Sequence, residues 1–133
     1  MSPRPRLGVD SGVDVNSLRP AAALILIYTV DDVWHVPLTV RGSSLRHHTG
    51  QVSLPGGRLD VGETVEEAAL REAHEEVGVL PRDVEILGRL TSLPVYVSGH
   101  LLHPVVGYSQ RRPAFTLASH EVEKLIEVQA LTK

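Results

Sequence analysis

The sequence predicts one mixed α/β domain, and two patterns favour it: several short apolar stretches of strand-like composition, and one strongly marked helix between them. Strands on both sides of a single helix are typical of mixed α/β folds. With 133 residues, the chain is long enough for one domain with a core and too short for two. We therefore expect a single domain over residues 19–133, preceded by a loose arm over residues 1–18, which is rich in Pro, Gly, Ser and Asp.

The first two strands are predicted to form a hairpin. Residues 21–30 are a continuous apolar run with β-branched members, and residues 33–41 alternate as a strand does. Asp31 and Asp32 supply the turn between them. A polar loop follows, and then residues 52–57 (VSLPGG), which we expect to be a strand end that leads into a glycine turn.

The clearest element is a helix over residues 65–77. Thr64 is a good N-cap, and Glu67, three positions later, completes a capping box. Gly78 ends the helix and Pro81 prevents any continuation. The apolar side that we expect to pack on the sheet consists of Ala69, Leu70, Ala73 and Val77.

Three further strands are predicted after the helix. They lie in residues 83–93, 100–109 and 122–131. The last of these segments, VEKLIEVQAL, also fits a helical pattern, and the two assignments stay open.

The helix carries three carboxylates within five positions, Glu72, Glu75 and Glu76. Like charges four residues apart destabilise a bare helix by about 0.2–0.5 kcal/mol, and the C-terminal half of a helix disfavours anions. A divalent cation reverses both effects, and Mg²⁺ and Mn²⁺ prefer such oxygen ligands. From the helix alone, a solvated acidic face and a metal site are both open. Arg71, four residues before Glu75, can brace a carboxylate by a charge-assisted hydrogen bond.

The segment that precedes the helix favours the metal site. Gly57 is followed after five residues by Glu63, and after seven more by Arg71-Glu72; Glu75-Glu76 and Gly78 follow. This pattern resembles the Nudix box, in which Gly, Glu, Arg-Glu, Glu-Glu and Gly stand at these spacings. Ala73 is smaller than the aliphatic residue usual at its position, which concerns packing rather than chemistry.

The resemblance implies an α/β/α sandwich around a mixed sheet, with the box forming a loop-helix-loop. Most Nudix proteins hydrolyse a diphosphate linked to another moiety, with Mg²⁺ or Mn²⁺ as cofactor. The metal ligands implied are Glu72, Glu75, Glu76 and the Gly57 carbonyl, with Glu63 in the outer shell. Catalytic roles are implied for Arg71, which would orient a carboxylate, for Glu75, and for a general base. The base differs among subfamilies, so Glu72 and Glu121 both stay open for that role.

A second pattern, LTVRGSSLRHHTGQVSLPGG (residues 38–57), resembles the signature of coenzyme A pyrophosphatases. Departures from that signature stand at Pro37, Gly42 and Leu54. The substrate-binding residues it implies are Arg41, Arg46, Gly50, Pro55 and Gly56. The two arginines offer planar guanidinium groups that suit phosphates.

The resemblance continues through residues 93–108 and 120–128, so it covers residues 19–131. Coenzyme A pyrophosphatases usually continue into a further helix after the last strand. Three readings follow: the chain is truncated, it is a short form, or oligomerisation (a homodimer, for example) covers the exposed apolar surface.

The leading hypothesis is therefore hydrolysis of coenzyme A, or a derivative, to 3′,5′-ADP and a 4′-phosphopantetheine. The alternatives are a Nudix pyrophosphatase for another nucleoside diphosphate derivative, and a Nudix-fold module that binds without cleaving. A net charge of −3 argues against nucleic acid as a partner. The absence of cysteine, of a signal peptide and of a membrane-length apolar run predicts a cytoplasmic protein that has no membrane partner.

Overall fold

The computed structural model of the protein describes residues 15–42 and 50–132. Within them, the strands are β1 Arg19–Val30, β2 Val33–Arg41, β3 Val52–Ser53, β4 Gly56–Arg58, β5 Glu85–Arg89, β6 Leu93–Val95, β7 His100–Tyr108 and β8 Val122–Thr132. Helix α1 spans Val65–Val77, and short 3₁₀ turns cover Val15–Ser17 and Pro81–Asp83. The prediction of a mixed α/β domain is confirmed.

Strand β1 is the centre of the sheet. It runs parallel to β7 along most of its length, whereas every other strand pair in the described residues is antiparallel. On its other edge, β1 pairs with β4 through residues 21–23 and with β2 through residues 28–30. Strand β8 pairs with β2, and β3 with the far end of β2. The change of partner along β1 brings β4 beside helix α1.

The predicted hairpin is confirmed, with strands that end at Val30 and restart at Val33. Asp31 and Asp32 both have positive φ, 52° and 64°. Two consecutive residues in the left-handed region form the type I′ turn, whose twist matches that of the flanking strands. Aspartate tolerates this conformation better than most residues, which explains why the turn needs no glycine.

Helix α1 buries one side against β1 and the core. The buried side consists of Val65, Ala68, Ala69, Ala73 and Val77. These residues meet a core that includes Leu24, Leu26, Tyr28 and Val105. Because three of the helix residues are alanines, the helix backbone can approach the sheet closely. The expected packing of Ala69, Ala73 and Val77 is confirmed, but Leu70 is only half-buried, and Val65 and Ala68 complete the buried side instead.

Residues 56–58 form a strand, so the glycine turn predicted there is wrong. Gly56 pairs with Ala23, and a Cβ atom on Gly56 would lie 2.2 Å from the carbonyl oxygen of Ala22. The glycine therefore permits a close approach of two backbones, which a sequence pattern cannot distinguish from a turn.

Other boundaries differ from those predicted. Residues 122–132 form a strand, which settles the helical ambiguity because β8 pairs with β2 over its length. The segment predicted as one strand over residues 83–93 is β5, and β6 begins at its end. At the N-terminus, β1 begins at Arg19 and a 3₁₀ turn precedes it at Val15–Ser17; the rest of the predicted arm lies outside the described residues. No helix in the described ranges is long and apolar enough to span a bilayer.

Candidate active site

Helix α1, which carries the predicted carboxylates, is capped at both ends. Thr64 Oγ1 accepts the backbone N–H of Glu67 at 3.1 Å, and the Glu67 carboxylate accepts the backbone N–H of Thr64 at 2.9 Å. Gly78 caps the other end at φ 79°, and its N–H donates to the His74 carbonyl. The predicted capping box and glycine stop are thus confirmed, and they define where the helix begins and ends.

Arg71 joins the loop before the helix to the helix itself. Its guanidinium donates two hydrogen bonds to the Glu63 carboxylate, at 2.7 and 3.1 Å, and a third to the Arg58 carbonyl. On the helix, it donates to Glu72 at 2.9 Å and to Glu75 at 3.2 Å. A single guanidinium therefore fixes three carboxylates that would otherwise repel one another.

Glu63 lies against this guanidinium rather than in the centre of the acidic cluster. The Arg71 hydrogen bonds, together with the backbone N–H of Asp60 at 2.8 Å, hold the pKa of Glu63 below its usual range. Glu63 is therefore ionised at neutral pH, and both of its oxygens accept hydrogen bonds from the protein.

Glu72 and Glu76 form the centre of the cluster, on adjacent turns of the helix. Their side chains share a hydrogen bond, and the backbone of Gly56 also bonds to Glu76. Burial raises the pKa of Glu76 to about 9, assisted by this hydrogen bond and by the charges of Glu72 and Glu121. The protonated form of Glu76 is therefore favoured at neutral pH in the absence of a cation, as expected for a carboxyl group in a partly buried site beside like charges.

Gly57 lies against the same carboxylate pair. A Cβ atom there would lie 2.6 Å from the Glu72 carboxylate. Any side chain at this position would displace Glu72, so the glycine is needed for the close contact between β4 and the helix. The backbone of β4 thus forms one wall of the cluster.

Glu121 reaches the cluster from the other end of the chain. Its charge acts on Glu76, and its own carbonyl oxygen accepts the N–H of Gly42 at 2.9 Å. The Glu121 side chain is 45% exposed, and His120 Nε2 lies 3.4 Å from one of its oxygens. The two residues left open as general bases, Glu72 and Glu121, thus both lie close enough for their charges to act on Glu76.

Four of the five residues expected to bind substrate fall within the described residues. Arg41 ends β2 next to Gly42, and its Nε is buried with no hydrogen-bond partner among the described residues. Gly50 has φ 80° and donates to the Arg41 carbonyl, while the carbonyl of buried Pro55 accepts the N–H of Leu24. Arg46 lies outside the described residues.

The donor set suits a divalent cation, although in residues 15–42 and 50–132 no three His, Asp or Glu groups already stand in a chelating arrangement. The side chains of Glu72 and Glu76 share a hydrogen bond, and a hard cation would be a better partner for their oxygen donors. Glu75, which Arg71 holds at 3.2 Å, adds a third carboxylate on the same helix, with a side chain 53% exposed. The residues present therefore fit Mg²⁺ or Mn²⁺.

Two members of the Arg71 network were missed in the sequence. Asp60 lies 3.3 Å from Arg71 Nε, and the Arg58 carbonyl accepts from the same guanidinium. Arg58 is the last residue of β4, and Asp60 lies in the loop that follows it. In the sequence, the only sign of a role for this segment is an acidic residue near a glycine-containing turn. That signal is too common in surface loops to indicate a site.

Comparison with known proteins shows the family and the fold. The family model described as the NUDIX domain matches residues 18–131. Two curated relatives come from Caenorhabditis elegans: Nudix hydrolase 3 is 47% identical over 80% of this chain and 43% of its own length, and peroxisomal coenzyme A diphosphatase ndx-8 is 39% identical over 86% and 51%. The chain spans about half the length of the curated relatives it matches. A crystal structure of the Nudix hydrolase RenU from M. smegmatis shares the fold, with a TM-score of 0.71 at 24% identity over 84% of this chain and 70% of that one.

Proposed function

The chain belongs to the Nudix domain family, and from that premise we propose that it hydrolyses the diphosphate of coenzyme A or a coenzyme A derivative. The products would be 3′,5′-ADP and a 4′-phosphopantetheine. The observation that carries the proposal is the meeting of Glu72, Glu76 and Glu121. A second observation is that Arg41 Nε is buried and has no hydrogen-bond partner among the described residues. The relative whose name states coenzyme A diphosphatase activity, at 39% identity, supports the choice of substrate.

Nudix hydrolases generally use divalent metals such as Mg²⁺ or Mn²⁺. In this chain Glu72, Glu75 and Glu76 would hold the metal together with the Gly57 carbonyl. When bound, the metal would neutralise the charge of the diphosphate and acidify the attacking water. Glu63 would act from the outer shell, since both of its oxygens already accept hydrogen bonds from the protein.

The remaining catalytic roles fall to the protein's own groups. Arg71 holds Glu72 and Glu75 at fixed positions, so less rearrangement is needed when substrate binds. A carboxylate must accept the proton of the attacking water. Glu72 and Glu121 both remain candidates, and Glu121 is the more exposed of the two, at 45% against 17%.

Substrate recognition would rest on two arginines and on three residues that act through the backbone. Arg41 would donate from its unpartnered Nε to a phosphate oxygen, and Arg46 would add a second guanidinium, a role proposed from the sequence signature alone. Gly50, Pro55 and Gly56 would act through the backbone, because the turn and the close contact with β1 that they permit shape this edge of the site. A cytoplasmic location and a homodimer stay predictions.

The test is a comparison of kcat/KM for coenzyme A, ADP-ribose and NADH with Mg²⁺ or Mn²⁺, with products identified by mass. We expect coenzyme A to be preferred and to release 3′,5′-ADP. Arg41→Gln should lower kcat/KM for coenzyme A by about 10–100-fold, since it removes a charge-assisted hydrogen bond. Arg82→Gln, in the exposed turn that follows the helix, is the matched control and should have no effect.

Two outcomes would change the proposal. Preference for ADP-ribose or NADH, with Arg41→Gln acting equally on all substrates, would replace coenzyme A by another nucleoside diphosphate derivative. Binding without turnover of any of the three would favour a non-catalytic ligand-binding module.

A further inference from the structure

The connection between β7 and β8, residues 109–121, contains neither helix nor strand, yet it is extensively bonded to the rest of the fold. Connections of this length without regular structure are uncommon in compact domains and are usually functional. This one ends at Glu121, whose charge acts on Glu76. Whatever holds the connection in place therefore also sets the position of that carboxylate.

The first anchor is an ion pair between Arg112 and Glu127. Arg112 donates from Nε and Nη2 to the two oxygens of Glu127, at 2.8 and 2.9 Å. The hydroxyl of Tyr28, a buried residue of β1, donates to the same carboxylate at 2.5 Å. These hydrogen bonds lower the pKa of Glu127, so the pair remains charged at neutral pH. The start of the connection is thereby bound to β8, at a residue that is itself bonded to β1.

Aromatic packing extends this anchor into the middle of the connection. The Arg112 guanidinium lies 5.1 Å from the centre of the Phe115 ring. Phe115 in turn lies 5.9 Å from the ring of Tyr28, and both Phe115 and Leu117 pack against the buried core. Because Arg112 contacts both Glu127 and Phe115, its loss would release two attachments.

The second anchor joins the connection to the end of helix α1. The N–H of Thr116 donates to the Val77 carbonyl, and the N–H of Ala118 donates to the Glu76 carbonyl, both at 2.9 Å. Helix C-termini leave such carbonyls without an intrahelical partner, so these bonds satisfy groups that need one. The N–H of Glu121 then donates to the Ala118 carbonyl. The backbone path from Glu76 to Glu121 is thus only two hydrogen bonds long.

We propose that Arg112 and Glu127 are positioning residues for hydrolysis: their ion pair seats residues 109–121 on the helix so that Glu121 faces Glu72 and Glu76. The proposal rests on the proposed function and takes Glu121, one of its two candidates for the general base, as the carboxylate that acts in the reaction. Neither member of the pair touches the carboxylate cluster in the described residues. Their effect on turnover passes through the connection, and so through Glu121.

Amide hydrogen exchange tests the structural half of this proposal without any substrate. In Arg112→Gln, exchange at Ala118 and Thr116 should accelerate by at least about tenfold, because the connection opens more often. Glu127→Gln should act in the same direction. The matched control is Arg89→Gln, which removes another two-hydrogen-bond ion pair, at 2.6 and 2.8 Å to Glu66, on the opposite end of the helix. That variant should leave both amides unchanged; unchanged exchange in Arg112→Gln as well would overturn the proposal.

A kinetic cycle tests the functional half. Arg112→Gln should lower kcat by about tenfold with KM altered less than about twofold, as for a residue that acts on the chemical step. In a Glu121→Gln background, the same substitution should lower kcat no further, since the group it positions is gone. Additive effects, or a kcat that does not change, would contradict positioning.

Absence of turnover in the unmodified protein would refute the proposed function instead. The exchange measurement would still report whether Arg112 holds the connection in place.

Discussion

Arg71 contacts more charged groups than any other residue described near the site, and its geometry explains why a lysine would not replace it. Its planar group bonds to both oxygens of Glu63 while it also reaches Glu72 and Glu75 on the helix. A lysine offers one point charge and cannot make these contacts together. Arg71 therefore does for the carboxylates in the metal-free protein part of what a cation would do.

Arg71→Lys should consequently reduce activity although it keeps the charge. We expect kcat to fall by about 10–100-fold, the range typical when a residue that orients metal ligands is replaced. Steady-state kinetics at saturating Mg²⁺ measures this effect. Arg89→Lys is the control, because Arg89 bonds to Glu66 on the same helix but away from the cluster; equal losses in the two variants would contradict a specific role for Arg71.

Glu76 predicts a pH dependence of stability in the metal-free protein. Its pKa is raised from 4.5 to about 9, mainly by burial. A raised pKa means that the folded state favours the protonated form, so this contribution to stability is complete below pH 4.5 and is lost as pH rises towards 9. Between pH 5 and 9 in EDTA, the melting temperature should fall by about 4 °C or more relative to Glu76→Gln.

Thermal denaturation of the two proteins across that pH range is the measurement. Mg²⁺ should reduce the difference, because a cation stabilises the ionised carboxylate that burial disfavours. Parallel melting curves for the two proteins at every pH would show that Glu76 is not buried as described.

At the scale of elements, the end of helix α1 shows how one glycine serves two requirements. Gly78 has φ 79°, and a Cβ atom there would lie 2.9 Å from the backbone nitrogen of Thr116. Gly62, with φ 81°, has the same conformation, but a Cβ atom there would meet nothing within 4 Å. A side chain at Gly62 would therefore meet only backbone strain, whereas a side chain at Gly78 would meet both backbone strain and a steric clash.

Gly62→Ala should lower the free energy of unfolding by about 1 kcal/mol, the cost of an L-residue in the left-handed region. Gly78→Ala should cost about 2 kcal/mol more than that, since it also displaces Thr116 and the connection to β8. Urea denaturation measures both values. Equal losses would mean that Thr116 is not held against the helix.

The sequence predicted best those elements whose boundaries are set by residues within the element itself. The helix runs over the predicted residues because Thr64, Glu67 and Gly78 define its ends within the segment itself. Strands β4 and β6, three residues each, were not predicted, because they exist only through pairing with β1 and β7. Strand β8 was predicted with a helical alternative, because its sequence fits two periods and its strand form depends on its pairing with β2.

At the scale of the whole molecule, the site is assembled from segments that lie far apart in the chain. The box residues from Gly57 to Glu76 lie within one short segment, so their spacing can be recognised in the sequence. The approach of Glu121 was expected only from a family resemblance, since nothing local distinguishes it from a surface carboxylate. The ion pair of Arg112 and Glu127 had no sequence signal at all, because it joins a connection to a strand that only the fold brings near.

The most direct test of the central claim is whether this carboxylate cluster supports metal-dependent cleavage of a diphosphate. We would incubate the protein with coenzyme A, with Mg²⁺ or with EDTA, beside Glu72→Gln, and follow the products by mass spectrometry. The account predicts 3′,5′-ADP only with Mg²⁺, and at least about a hundredfold less in Glu72→Gln. Equal product with EDTA, or full activity in Glu72→Gln, would contradict it.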